Sequence, residues 1–271
     1  MIMLTVSDYL AQPVVSPDVS IRYGDHPDQF GDLYLPAQVH PAPVVMMIHG
    51  GCWQAAYPLT PLGECCAALR ARGYAVWNLE YRRLGNGGGW PSTFLDVAAG
   101  ADHLRVLAEH YPLDLNRVVV VGHSAGGHLA LWLATRPKLP PTSPLYIPHP
   151  LPVHGVVALA AVADLRRGVT ATACGTACLE LIDNEESRCA EASPHARLPL
   201  DIPHYHLVGG DDPIVPASYV AAFVDAARQA GDLAHLTIVP KCGHFELTTP
   251  HSQAWQTVVQ TIDKACSLNR S

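Results

Sequence analysis

Four consecutive valines, Val118–Val121, run straight into Gly122-His123-Ser124-Ala125-Gly126, and a helix-forming apolar stretch begins at once behind them. Few sequence features limit a fold so tightly. A strand that turns into a helix within a few atoms forces the serine backbone to positive φ, and a Cβ two residues to either side would collide, hence the flanking glycines. The turn lifts the serine hydroxyl out at the end of the strand, beside a helix N-terminus. A plain Gly-rich turn packed on a sheet is the alternative reading, but it does not require a strand before and a helix after.

The rest of the chain repeats that strand–helix alternation. Strands are expected at Val19–Tyr23, Gly31–Leu35, Pro43–Ile48, Tyr74–Asn78, Val118–Val121, Val153–Leu159, His204–Val208 and Leu236–Val239. Helices are expected at Pro61–Arg72, Phe94–His110, Ala125–Thr135, Ala217–Gln229 and near Ser252–Cys266. The order predicts an α/β fold, an open and mostly parallel sheet with right-handed crossovers and helices on both faces. Composition agrees: 49% of residues are apolar and 15% charged, which excludes a disordered chain and suits a sheet buried on both faces.

Other classes fall away on composition. No stretch approaches the roughly 20 apolar residues of a membrane span. The net charge is −7 with no Lys/Arg run, so neither a membrane nor nucleic acid is expected as partner; a small-molecule substrate is expected instead, and a homodimer is admitted. The N-terminus has no basic segment followed by an apolar one, so no signal peptide is read. Eight cysteines form no CxxC pair. They are expected as buried thiols in a reducing cytoplasm, with one disulfide within Cys174–Cys189 as the alternative.

In such a sheet ligands gather at the carboxyl ends of the strands. The segments that follow strands are His49–Thr60, Leu79–Pro91, Gly122–Ala125, Ala160–Pro203, Gly209–Pro216 and Pro240–Pro250. The proline-rich stretch Pro137–Pro152 follows a helix, so it is a loop on the opposite edge.

Chemistry can be assigned on that face. Ser124 needs a base and an acid to orient it, in the chain order serine, acid, histidine. Asp212 stands directly before the turn Pro213-Ile214-Val215-Pro216 and is the favoured acid; Asp211 is the alternative. His244 follows the last strand, 32 residues beyond Asp212, and is the expected base. Donors for a tetrahedral oxyanion are expected from the amides of Gly51, Cys52 and Ala125, with His49 holding their loop. Tyr81 and Arg82 are expected to brace it. Trp53, Tyr57, Trp90, Ile214 and Phe245 lie on the same face and could wall an apolar pocket. Fifteen histidines invite a metal, but there is no HExxH. The three nearest the motifs, His49, His123 and His244, already have roles in a metal-free mechanism, so no metal is expected.

His49-Gly50-Gly51-Cys52-Trp53, Glu80-Tyr81-Arg82, Pro91–Asp96, Gly122–His128 and the Asp212/His244 spacing resemble the α/β-hydrolase esterases. The branch they resemble is the kynurenine formamidase (arylformamidase)-like and feruloyl-esterase-like one, near the hormone-sensitive-lipase group. The likeness runs from about Arg22 to Thr261. It implies an α/β-hydrolase fold in a single domain over residues 1–271, with small or no cap. Residues 1–42 would be an N-terminal extension with the early strands, and 160–203 a small lid-like insertion that departs from the family pattern. It also implies a cofactor-free Ser-His-Asp hydrolase that cleaves a carboxylic ester or aryl formamide of a small substrate through an acyl-enzyme. A prolyl-oligopeptidase-type exopeptidase would bring a propeller domain that 271 residues cannot hold. A non-catalytic relative would be expected to have a broken triad.

Overall fold

The computed structural model describes residues 3–37 and 40–267. Among them eight strands form one sheet: β1 (Val19–Arg22), β2 (Phe30–Tyr34), β3 (Ala42–Ile48), β4 (Ala75–Leu79), β5 (Leu113–His123), β6 (Gly155–Leu159), β7 (His204–Gly209) and β8 (Ala234–Val239). Their order across the sheet is β1-β2-β4-β3-β5-β6-β7-β8. The pairs β1–β2 and β2–β4 are antiparallel and every other pair is parallel. The helices, in chain order, are α1 (Val6–Leu10), α2 (Gly63–Ala71), α3 (Ser92–Asp102), α4 (Leu104–His110), α5 (Ala125–Thr135), α6 (Leu165–Ala171), α7 (Ala177–Glu180), α8 (Cys189–Ala192), α9 (Ala217–Gln229) and α10 (Trp255–Ser267).

Val44–Ile48 in β3, Val119–Val121 in β5 and Val156–Leu159 in β6 are all buried, with no residue showing an exposed alternate. Strand side chains alternate between faces, so both faces of the sheet centre are covered. From β3 the chain crosses to β4 on one side, then returns past β3 to β5 on the other. The reversal opens a crevice at the carboxyl ends of β3 and β5, where ligands sit in sheets of this kind. Ile48 pairs with Gly122, so the two strands end level.

Two expected elements differ in outline. The helix expected over Phe94–His110 is divided at His103 into α3 and α4. Trp77 Nε1 donates to the Gly100 carbonyl at 3.0 Å, the acceptor that the Leu104 N–H would take in an unbroken helix. The N-terminal stretch, read without an element before Val19, contains α1, closed by a capping box between Thr5 and Asp8. The proline-rich loop keeps its expected place, between α5 and β6. No helix among the described residues is long and apolar enough to cross a membrane.

Several histidines are buried in this scaffold. His128, on α5, donates from Nε2 to the Ala192 carbonyl at 2.9 Å, and burial pushes its pKa down to about 4. His206, in β7, is held well below the usual histidine range by burial and then by the neighbouring His204 and Arg228. Both rings stay neutral in the fold, whereas the unfolded chain takes up protons below about pH 6.5. Stability is therefore expected to fall as pH drops from about 6.5 towards 4, by about 3 kcal/mol from His128 alone. Urea midpoints measured across that interval should decline, and His128→Gln should flatten the slope.

Candidate active site

Ser124 joins β5 to α5 with φ 56° and ψ −118°, a backbone conformation held only where the surroundings dictate it. Three hydrogen bonds do so. Its N–H donates to the Leu159 carbonyl at 2.8 Å, and its own carbonyl accepts from His128 and Val162 at 3.2 and 3.3 Å. The flanking glycines are required by contact: a Cβ on Gly122 would lie 2.1 Å from the Gly126 carbonyl oxygen, and one on Gly126 2.1 Å from that of Ile48. The side chain is left at the sheet end, lining a cavity of 290 Å³.

His244 lines the same cavity. Its Nδ1 donates to Asp212 Oδ2 at 2.7 Å, which makes Nε2 the acceptor of the neutral ring. Asp212 Oδ1 accepts from the amides of Ile214 and Val215, both at 2.8 Å, so the carboxylate is buried but fully bonded. Asp211 is exposed, and its amide donates to the Cys242 carbonyl at 3.0 Å. The structure thus brings Asp212 to His244 and leaves Asp211 outside. His123, beside the serine, donates from Nε2 to the His244 carbonyl at 3.0 Å and so ties the histidine loop to β5. Burial, and then the charge of His244, hold the His123 pKa well below normal.

The segment after β3 supplies the third part. Among the described residues, the amides of Gly51, Cys52 and Ala125 have no hydrogen-bond acceptor. Gly51, Cys52 and Trp53 follow one another at φ 102°, 48° and 56°. Behind them His49 donates from Nε2 to Glu80 Oε1 at 2.8 Å and from Nδ1 to the Gly50 carbonyl at 2.9 Å. Burial pushes the Glu80 carboxyl up. The charges of His49 and Arg83, with hydrogen bonds from His49 and the Tyr81 amide, outweigh it and leave the pKa below its usual value. Tyr81 donates its hydroxyl to the His49 carbonyl at 2.9 Å and stacks on the His49 ring. Arg82 does not brace this loop, contrary to expectation. It is drawn to Asp96, with Nε and Nη2 at 2.7 and 2.6 Å, and Arg83 is the cation at Glu80.

Of the expected pocket residues, Tyr57, Ile214 and Phe245 line the cavity, and Trp53 and Trp90 do not. Trp53 is wholly buried, edge-on to His128, and anchors the loop instead. Trp90 packs edge-on to Phe94 and under the Arg188 guanidinium. Unforeseen walls come from α1, with Val6 and Tyr9, and from the insertion, with Ala173, Cys174 and Ala177. The cysteine expectation also needs correction. Cys52 is bonded to Cys174, their Cα atoms 5.3 Å apart, while Cys189 is a buried free thiol. The two partners are 122 residues apart in sequence and meet because both follow strands on one edge of the sheet, a proximity that spacing does not reveal. Among the described residues no group of three His, Cys, Asp or Glu is placed to hold a metal.

Glu80 and Arg83, behind the amide-bearing loop, and Tyr9, in the cavity wall, belong to the site without a sequence motif that assigns them to it. Glu80 carried a usable signal, since it is the first residue after a strand that ends on the active face. Together the parts can take a proton from a hydroxyl at Ser124, hold the resulting imidazolium against a carboxylate, and offer unpaired amides to a developing negative oxygen.

Residues 31–225 match the family model BD-FAE. The chain is 26% identical to the probable carboxylic ester hydrolase LipM of Mycobacterium tuberculosis over 198 residues, 69% of this chain and 45% of LipM. It is 31% identical to esterase LipC of the same organism over 114 residues, 41% of this chain and 28% of LipC. The chain thus spans less than half the length of either of these curated relatives. Among solved structures, esterase B from Lactobacillus Rhamnosis superposes with a TM-score of 0.81 at 20% identity, covering 97% of this chain and 89% of that one; the likeness is one of fold.

A fluorophosphonate is expected to modify Ser124 alone. Asp212→Asn should slow that labelling by a factor on the order of 10² to 10⁴, since the imidazolium loses its partner. Asp211→Asn should change it less than about threefold. Rates from intact-protein mass spectrometry decide the matter, and an equal loss in both variants would break the assignment.

Proposed function

The chain belongs to the BD-FAE family, with the α/β-hydrolase fold, and from that premise we propose that it is a serine hydrolase cleaving carboxylic esters, or aryl formamides, of small molecules through an acyl-enzyme. One observation carries the reading: Ser124, the Asp212–His244 pair and the unpaired amides of residues 51 and 52 converge on a single cavity.

The mechanism follows from that convergence. His244 Nε2 takes the Ser124 proton as Oγ attacks the acyl carbon. The carbonyl oxygen becomes an oxyanion facing the amides of Gly51, Cys52 and Ala125, which are fixed before the charge appears and need no reorganisation to receive it. Asp212 holds the imidazolium, which then gives its proton to the departing alcohol or amine. Water, deprotonated by the same His244, attacks the acyl-enzyme and frees the serine.

The cavity favours small, uncharged acyl groups. Its 290 Å³ is walled in part by Val6, Ala173, Ala177, Ile214 and Phe245, and among the described residues no Asp, Glu, Lys or Arg lines it. The descriptions of LipM and LipC as ester hydrolases support the same reading.

Ser124→Ala is expected to keep the fold and lower kcat by about 10³ or more on p-nitrophenyl acetate. On a panel of p-nitrophenyl esters of rising chain length, beside N-formyl-kynurenine and a feruloyl ester, wild-type kcat/KM should be highest on the short acyl groups. Wild-type turnover surviving in the alanine variant would end the serine-hydrolase reading.

A further inference from the structure

The wall of the cavity contains a covalent bond. Cys52 and Cys174 both line it and are joined to each other. The bridge runs from the segment after β3 to the segment between α6 and α7, so it spans the crevice at the sheet end.

Cys52 sits where the backbone has most need of support. It and Trp53 adopt φ 48° and 56°, conformations that residues with a Cβ hold only when packing or bonding dictates them. Trp53 is secured by its buried ring and by its carbonyl, which accepts from the Leu84 amide at 2.7 Å. Cys52 is only half-buried; the Gln54 amide closes the turn around it onto the Gly51 carbonyl at 2.9 Å, and the disulfide ties that turn to the facing wall of the cavity. Cys174 is in turn held from behind: the Ala173 amide donates to the Ile214 carbonyl at 2.8 Å, and the Ile214 amide donates to Asp212 Oδ1 at 2.8 Å. An unbroken path therefore links the amide-bearing loop, through the bridge, to the carboxylate that orients His244.

We propose that the Cys52–Cys174 disulfide is a positioning element that holds the Cys52 amide in line with Ser124, so that a dithiol reductant lowers turnover without unfolding the chain. The inference rests on the serine-hydrolase reading above. In the chemical step a dithiol thiolate attacks one sulfur of the bridge, and a mixed disulfide forms and is then resolved by the second thiol. The dithiol ends as its own disulfide and the protein carries two thiols, two electrons and two protons having passed to the bridge. Cys174 is a positioning residue in the cavity wall, and its hold on the amide-bearing loop passes through Cys52.

The other cysteines do not blur a test. Cys65, Cys66, Cys178, Cys189, Cys242 and Cys266 are already thiols and all are buried. Burial pushes the pKa of Cys178, Cys242 and Cys266 up to about 12, which leaves little thiolate to react.

The experiment measures kcat and KM on p-nitrophenyl acetate for the oxidised full chain, for the same sample reduced with dithiothreitol, and for that sample reoxidised. Peptide mapping follows the 52–174 linkage and thermal melting follows the fold. Misplacement of a catalytic group by about 1 Å can cost roughly 10²-fold. Reduction should thus lower kcat by about ten- to a hundredfold with KM within about threefold, and reoxidation should restore it. Cys174→Ala and Cys174→Ser should match the reduced wild type and ignore the dithiol. Unchanged kcat after complete reduction would overturn the proposal, as would wild-type turnover in either variant or a loss that merely tracks melting. An oxidised chain that cleaves no ester overturns both readings, whereas one that cleaves esters and is indifferent to reduction overturns this one alone.

Discussion

The close approach of Gly50 to Ser124 is the constraint that joins the amide-bearing loop to the serine. Ile48 and Gly122 are paired neighbours in β3 and β5, and two residues further on, at Gly50 and Ser124, the two backbones almost touch. A Cβ on Gly50 would stand 2.9 Å from the Ser124 Cβ and 2.8 Å from the His123 carbonyl oxygen. From Val44 to Ile48 the strand pairs in unbroken register with Val118 to Gly122, so a slip within that stretch would carry the amide-bearing loop away from the serine. The site thus takes its first alignment from the buried valine-rich core of the sheet, to which the loops add their own contacts.

Charge secures what register begins. The Glu80 carboxylate is surrounded by His49, Arg83 and the amides of Leu59 and Tyr81. A buried ion group of this kind contributes little net stability, because desolvation offsets most of the attraction; removing one member, however, strands the others. Its value here is geometric. It fixes His49, and so the path of the chain leaving β3, while Arg83 reaches on to the Tyr57 carbonyl at 2.6 Å and so holds part of the cavity wall.

Much of this arrangement is legible in the residues alone. The valine run, the glycines around Ser124 and the serine–acid–histidine order are local signals with local physical causes, and they locate the sheet end and the residues gathered there. What escapes is set by tertiary contact. Whether Arg82 or Arg83 serves Glu80 depends on Asp96 capturing the first of them. The break at His103 depends on the Trp77 indole from another element. Spacing does not pair Cys52 with Cys174, because the segments that carry them follow β3 and β6, which only the assembled sheet sets on either side of β5. The loop that holds a tryptophan does not reveal its direction: the Trp53 ring turns wholly inward, and the half-buried Trp90 is taken up by Phe94 and Arg188.

The N-terminal helix stands apart from these constraints. It is five residues long, caps itself through Thr5 and Asp8, and joins the body through a few polar contacts, among them Leu4 N–H to Glu246 and Gln12 to Thr249, and through Tyr9 stacked on Phe245. Val6 and Tyr9 nonetheless form part of the cavity wall. Tyr9 is buried against the His123 ring of β5, whereas Val6 is exposed. Mutational drift at Val6 can therefore reshape what fits beside Ser124 while the sheet keeps its stability, so that molecular preference and fold are free to evolve at different rates.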